Sequence, residues 1–432
     1  MAASVVVALL TSAVMQTSPV PAEASRLSGA YRWESGGIVD ILPWEELGPR
    51  RLVAFDDQGS VRALTQIGPR TFTVGKTIAV PEPVAARVQF DPADASSPAQ
   101  TLLWEADGQP PRVARRIEDH RAEAVSFKSG ATRLAGTLMI PPTAGPHPAL
   151  VLLHGSGPQD RNGTLPFARF LVRHGVALLA FDKRGVGSSQ GDWREASFET
   201  LADDALAAVA CLRSRRDIDK KRIGLFGVSQ GGWIGPLAAS RSRKVSLVVS
   251  ISGPGVTPAE QTLDLTESEL RIEGVADDEV GEALGLMKLA FRCGRTGTGW
   301  DDYAAALATS QERSWLPYLR LPSGAQDAAW KQQRLFYHYD PEPALAALRC
   351  PVLALLGDKD SGIPVEKNRS RWQAALTRGG YRDHTLVVVP GADHLMFEAN
   401  SGSMFEIPSL DRFVPDYRKI LLDWLRPRFG LS

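Results

Sequence analysis

At 432 residues with 44% hydrophobic side chains, the chain can build one large core and a second module, since single cores rarely grow past about 250 to 300 residues. Lysine plus arginine and aspartate plus glutamate both total 49, so no net field recruits nucleic acid or an anionic membrane, and a small neutral substrate fits better. Three cysteines, Cys211, Cys293 and Cys350, close at most one disulfide and have no Cys or His at metal-ligand spacing, so buried thiols are expected rather than a disulfide framework or a zinc site.

In chain order, residues 1–25 carry the apolar run Val5-Val6-Val7-Ala8-Leu9-Leu10, then a polar stretch ending in Ala22-Glu23-Ala24. This reads as a secretory signal peptide with an A-x-A cleavage site, although no Lys or Arg precedes the apolar run. Export to the periplasm or beyond is therefore expected, with a cytoplasmic location if the segment is not a signal. No other segment approaches the ~20 apolar residues of a membrane span. From 26 to 121, short β-like runs (51–55, 71–74) alternate with turn clusters (56–59, 67–69) and no helical period appears, which predicts a small β-rich domain.

From 122 to 432 the texture changes. A hairpin around Ser129-Gly130 is followed by apolar strands at 149–153, 176–181, 222–226, 245–251, 352–356 and 385–389. Amphipathic helices fill the gaps at 165–174, 198–213, 231–240, 365–377 and 409–425. That alternation predicts an α/β fold, a mostly parallel sheet with helices on both faces. One gap, 256–343, is too long for a crossover; its helical stretches at 259–273 and 278–291 are expected to form a lid insertion. Trp300, Trp315, Trp330, Phe336 and Tyr337 would chiefly form that insertion's own core, with some lining a pocket.

The pattern G-x-S-x-G occurs twice. Gly227-Val228-Ser229-Gln230-Gly231 follows an apolar strand directly and runs into a helix, the strand, turn and helix context of a nucleophile elbow. Gly187-Ser188-Ser189-Gln190-Gly191 lies in a glycine-rich loop beyond Asp182 and reads as a turn. A serine hydroxyl needs a general base, and the base an acid that orients it. Of the histidines after Ser229, His394 follows the last apolar strand, whereas His384 opens that strand and His338 sits in the insertion. Asp360 lies on the loop after 352–356 and is the expected acid; Asp358 and Asp393 sit closer to their strands, where local capping suffices. The developing oxyanion needs donors. One is expected from the Gln230 amide at a helix N-terminus, the other from the loop His154-Gly155-Ser156-Gly157, with Ser156 preferred and Gly157 the alternative. His154 is given a bracing role only.

The stretches His154-Gly155-Ser156-Gly157-Pro158-Gln159-Asp160-Arg161-Asn162-Gly163, Phe181-Asp182-Lys183-Arg184-Gly185-Val186-Gly187-Ser188-Ser189, and Tyr339-Asp340-Pro341 leading to Pro351-Val352-Leu353-Ala354-Leu355 resemble bacterial α/β-hydrolases of the dienelactone-hydrolase and serine-aminopeptidase-like group. The resemblance covers about 122–431. It implies an α/β-hydrolase fold, esterase or acyl-hydrolase activity, the triad Ser229, Asp360 and His394, and a structural brace at 182–185 beside the oxyanion loop. Val228 departs from the histidine many relatives carry there, at a position facing away from the chemistry. The expected activity is cleavage of a small-molecule carboxylic ester through an acyl-enzyme, with no metal or organic cofactor. A peptidase or acyl thioesterase on the same triad is the rival enzyme reading, and a non-catalytic hydrolase-fold binding protein the non-enzyme one.

Overall fold

The computed structural model describes residues 22–44, 51–92, 97–319, 321–322 and 329–431. The apolar run 5–10 of the expected signal peptide lies outside them. After a short helix α1 (Ala22–Leu27), eight strands follow: β1 (Gly29–Trp33), β2 (Ile38–Trp44), β3 (Arg51–Asp56), β4 (Val61–Gly68), β5 (Thr71–Val74), β6 (Ala86–Asp91), β7 (Thr101–Ala106) and β8 (Arg112–Ile117). Each pairs antiparallel with the next, and β8 closes onto β1 with Ala30 opposite Ile117 and Trp33 opposite Ala114. The β-rich segment is thus a closed meander barrel, a topology that leaves no free edge.

Alternation sets its inside and outside. Along β6, Ala86, Val88 and Phe90 are buried while Arg87 and Asp91 are exposed, the period-two pattern of a half-buried strand. With Tyr31, Ile41, Leu64, Val74 and Leu102 these side chains fill the interior, as an eight-stranded barrel permits. On β2 and β3 the alternation vanishes and nearly every residue is buried. Their outward residues Leu42, Trp44, Val53 and Phe55 belong instead to a core shared with the second unit. Trp44 packs edge-on against Phe167 and Phe397 and donates its indole N–H to Gly163 O at 3.1 Å. Beside this seam, Arg173 pairs with both Asp40 and Asp119, and Arg169 also reaches Asp119. Burial alone would raise the Asp119 carboxyl, but hydrogen bonds from His120, Arg169 and Arg173 hold it far below the usual range.

The second unit is an eight-stranded sheet of β9 (Arg121–Ser129), β10 (Thr132–Ile140), β11 (His147–Leu153), β12 (Ala177–Phe181), β13 (Ile218–Val228), β14 (Val248–Ile251), β15 (Val352–Gly357) and β16 (His384–Val389), in the order β16-β15-β14-β13-β11-β12-β10-β9. Only the β9/β10 and β10/β12 pairings are antiparallel. Strands β11, β12, β14 and β15 are buried throughout, because helices cover both faces. On β11, Leu150 and Leu152 face the core formed with Phe170, Leu171 and helix α11 (Tyr417–Phe429). Ala149, Val151 and Leu153 face the core formed with α3 (Phe198–Arg213), α4 (Gly231–Ser240) and α10 (Val365–Gly379).

Two helix expectations need correction. Stretch 165–174 splits into α2 (Leu165–Ala168) and a 3-10 turn Arg169–His174. Stretch 409–425 becomes helical only at Tyr417; residues before it bridge to the barrel, with Arg412 opposite Ser60, and to Phe397 through Phe413. Between β14 and β15, α5 (Pro258–Ile272), α6 (Asp277–Thr296), α7 (Trp300–Thr309) and α8 (Ala329–Phe336) form the insertion, followed by the short α9 (Glu342–Ala346). Leu270, Val280, Met287, Tyr303, Trp315 and Trp330 make a core of its own, while Phe336 packs on Phe198 and Tyr337 stacks on Phe291. Cys293 and Cys350 are buried and Cys211 only half-buried; all three are free.

Candidate active site

Strand β13 delivers Ser229 to the carboxyl edge of the sheet. There the chain turns sharply: Ser229 has φ 54°, its N–H donates to Ile251 O at 2.9 Å, and α4 begins two residues on. A β-carbon on Gly227 would stand 2.1 Å from Gly231 O, and one on Gly231 would stand 2.8 Å from Leu153 O. Both neighbours of the elbow are therefore glycine for want of space. A left-handed non-glycine residue costs on the order of 1 kcal/mol or more and persists only where its surroundings over-determine it. The surroundings here are two strands and a helix packed within van der Waals contact.

His394 sits on the loop after β16, and Asp360 on the loop after β15. The structure brings them together: His394 Nδ1–H donates to Asp360 Oδ2 at 2.8 Å, in a buried position, and Asp360 Oδ1 accepts the Gly362 N–H at 3.0 Å. The two rival aspartates are engaged elsewhere. Asp358 Oδ1 accepts the Gly391 N–H at 2.7 Å, lacing the two loops together. Asp393 Oδ1 accepts from Leu395 N and Phe397 N, both at 2.8 Å, and burial pushes its carboxyl up to about 7. His384 bonds Tyr381 O and the Gln373 amide, and His338 is exposed on the insertion.

The second serine of the G-x-S-x-G pair is occupied. Ser189 Oγ donates to Asp182 O at 2.6 Å and accepts the Ala135 N–H at 2.9 Å. His154 turns its Nε2 to Phe181 O at 2.5 Å; burial, helped by the Lys183 charge, lowers its pKa to about 3, so the ring is a neutral prop.

A pattern describing the alpha/beta hydrolase family matches residues 150–403, more than half of the chain. The chain belongs to the α/β-hydrolase family. Esterase EstD of Thermotoga maritima is 27% identical to this α/β-hydrolase over 277 residues, 62% of this chain and 60% of that protein. The match thus spans less than two thirds of the esterase's length. Quorum-quenching protein AidA of Acinetobacter baumannii is 28% identical over 252 residues, 56% of this chain and 79% of AidA. Among solved structures, an esterase of Pyrococcus furiosus aligns with TM-score 0.46 at 17% identity, covering 72% of this chain and 92% of that one.

In this α/β-hydrolase the segment 182–185, expected as a brace, ties down the loop after β11 through a lysine whose partners sequence reasoning did not name. Lys183, fully buried, sends its ammonium to Gly155 O at 2.8 Å, Gly157 O at 2.9 Å and Gln230 Oε1 at 2.8 Å. It ties the loop after β11 to the residue following Ser229. Arg161 locks the same loop from the other side, through Nε and Nη2 to the two oxygens of Asp182 at 2.9 and 2.6 Å. Beyond the family resemblance, the sequence offered only a lysine two residues past an apolar strand, ambiguous because most lysines in loops are solvated.

Proposed function

We propose that this α/β-hydrolase cleaves carboxylic esters, with Ser229 as nucleophile, His394 as general base and Asp360 as its orienting acid. The observation that carries the reading is the buried 2.8 Å bond from His394 Nδ1 to Asp360 Oδ2. It fixes the tautomer, so Nε2 is the nitrogen that exchanges a proton with the serine, and the carboxylate stabilises the imidazolium that results. Ser229 then attacks the ester carbonyl, His394 takes its proton, and the alcohol departs on a proton returned by His394. Water cleaves the acyl-enzyme by the same route.

The amides of Gln230 and Ser156 are the oxyanion donors in this reading. Gln230 stands at the N-terminus of α4, where N–H groups and the helix dipole both favour negative charge. For Ser156 the support is peptide planarity: a trans peptide points its N–H opposite its C=O. Capture of Gly155 O by Lys183 therefore turns the Ser156 N–H away from the lysine. Gly157 carries no comparable constraint on its own N–H.

The same reading divides the chain into an export signal (1–25), a β-barrel domain (26–121) and a catalytic domain (122–432) whose insertion (256–343) roofs the acyl pocket as a lid. Its support is that α5 lies against the acid loop, with Gln261 Nε2 donating to Gly362 O at 3.1 Å, and that Tyr318 packs edge-on against Phe405 beyond His394. Ser229→Ala is expected to lower turnover of a short-chain p-nitrophenyl ester by on the order of 10^4- to 10^6-fold. Wild-type turnover by that variant would refute the assignment.

A further inference from the structure

Helix α5 opens the insertion with a reciprocal cap, Thr257 Oγ1 accepting the Glu260 N–H and Glu260 Oε2 accepting the Thr257 N–H, both at 3.2 Å. Its residues are mostly half-buried, with Arg271 and Ile272 exposed at its end, and only Pro258, Glu269 and Leu270 are buried. A glutamate in that position is unexpected, because burying a carboxylate without strong partners costs several kcal/mol. Glu269 has three partners, and none lies on its own helix. Oε1 accepts from Ser361 Oγ at 2.7 Å and Met404 N at 2.9 Å, and Oε2 accepts from Ser403 Oγ at 2.5 Å.

Those partners lie on the two segments that carry the proposed acid and base. Ser361 follows Asp360 directly. Ser403 and Met404 end the loop that leaves His394 and folds back on the acid loop, where Gly402 approaches so closely that a β-carbon would stand 1.6 Å from Lys359 O. Gln261, Leu265 and Glu269, one turn apart, form a single stripe of α5. Gln261 bonds Gly362 O, and Leu265 Cδ1 would be 3.4 Å from a Gly362 β-carbon. Beside them Asp264 pairs with Lys367 Nζ at 2.8 Å.

We infer that Glu269 is a positioning residue for the Asp360–His394 pair: the insertion reaches down through one buried carboxylate and sets the spacing of the acid loop and the base loop. Charge-assisted hydrogen bonds are shorter and stronger than neutral ones, so one carboxylate ties α5, the acid loop and the end of the base loop together. The insertion is then part of the catalytic frame as well as a cover. This rests on the Ser229, His394 and Asp360 reading above.

The test uses the full chain with Glu269→Ala, Glu269→Gln and Ser403→Ala, and Ser229→Ala beside them. Readouts are kcat and KM for p-nitrophenyl acetate, melting temperature, and the low-field proton NMR resonance of His394 Nδ1–H. Glu269→Ala is expected to lose about ten- to a hundred-fold in kcat with KM unchanged, and to shift or broaden that resonance. Glu269→Gln keeps an oxygen for Ser361 and Met404 while the Ser403 hydroxyl rotates to accept, so it is expected to retain most of the rate. A folded Glu269→Ala protein with wild-type kcat and an unmoved resonance overturns the inference. Should Glu269→Ala fail to fold, Ser403→Ala decides: a lowered kcat and moved resonance support the inference, and full kcat overturns it. Activity surviving in Ser229→Ala would instead sink the triad reading itself, whereas a dead Ser229→Ala beside a fully active Glu269→Ala sinks only this one.

Discussion

Residues 187–191 and 227–231 spell the same pattern, glycine, any residue, serine, any residue, glycine, and the fold uses them in opposite ways. In the first, the glycines take the left-handed backbone, φ 55° at Gly187 and 93° at Gly191, and the serine hydroxyl is locked between Asp182 O and the Ala135 N–H. In the second, the serine itself takes the left-handed backbone, φ 54°, and the glycines are needed because Gly231 O and Leu153 O crowd the space a β-carbon would fill. One serine is structural mortar. The other is held out at the edge of the sheet by strain that its surroundings sustain. The lesson is that the pattern has two physical solutions, told apart by which residue bears the strain.

Substitutions sharpen the contrast between an engaged and a presented group. Asp360→Asn is expected to reduce kcat by about 10^4-fold through loss of the correct histidine tautomer. Asp358→Asn, which disturbs only the bond to Gly391 N, should cost about 1 kcal/mol of stability and little activity. Steady-state kinetics on both variants separates the two aspartates, and an inactive Asp358→Asn beside an active Asp360→Asn would reverse their roles. Lys183→Met removes the three bonds that tie Gly155, Gly157 and Gln230 together. We expect kcat to fall about ten- to a hundred-fold with KM nearly constant, the pattern of a lost transition-state donor; a change in KM alone would assign Lys183 to substrate binding. Ser189→Ala should leave kcat untouched and cost about 1–3 kcal/mol in urea unfolding, because it strands a buried amide.

A further effect concerns pH. Asp393 is raised to about 7 in the fold from an ordinary value of 3.8, and its Oδ2 has no partner among the described residues. Between those values the folded protein keeps a proton that the unfolded chain has released, so stability falls as pH rises from about 4 to about 7 and then levels off. Asn has no such proton, so the melting-temperature gain of Asp393→Asn over wild type should widen across that window. A gap that stays constant with pH would contradict the raised carboxyl.

Much of the sheet was legible because β11, β12, β14 and β15 are continuous apolar runs, and α3 and α4 because their caps and glycines punctuate them. Barrel closure was not legible, since the β1/β8 pairing joins segments about eighty residues apart and β2 and β3 lose their alternation against the second unit. Leu410, Phe413 and Val414, spaced like a helical stripe, precede the last helix and pack instead in the core shared with the barrel. Pro415 was the contrary signal, because a proline disfavours helical backbone in the residue before it. The loops bearing Ser229, Asp360 and His394 could be located from strand ends. The partners of Lys183 and the role of Glu269 could not, because both depend on groups brought near by the fold.

The central claim, that Ser229 is the presented nucleophile and Ser189 is not, is tested most directly by treating the folded protein with a fluorophosphonate and mapping the adduct by peptide mass spectrometry. The account predicts one adduct, on Ser229, abolished by Ser229→Ala and unaffected by Ser189→Ala. An adduct on Ser189, or none on the folded wild-type chain, would contradict it.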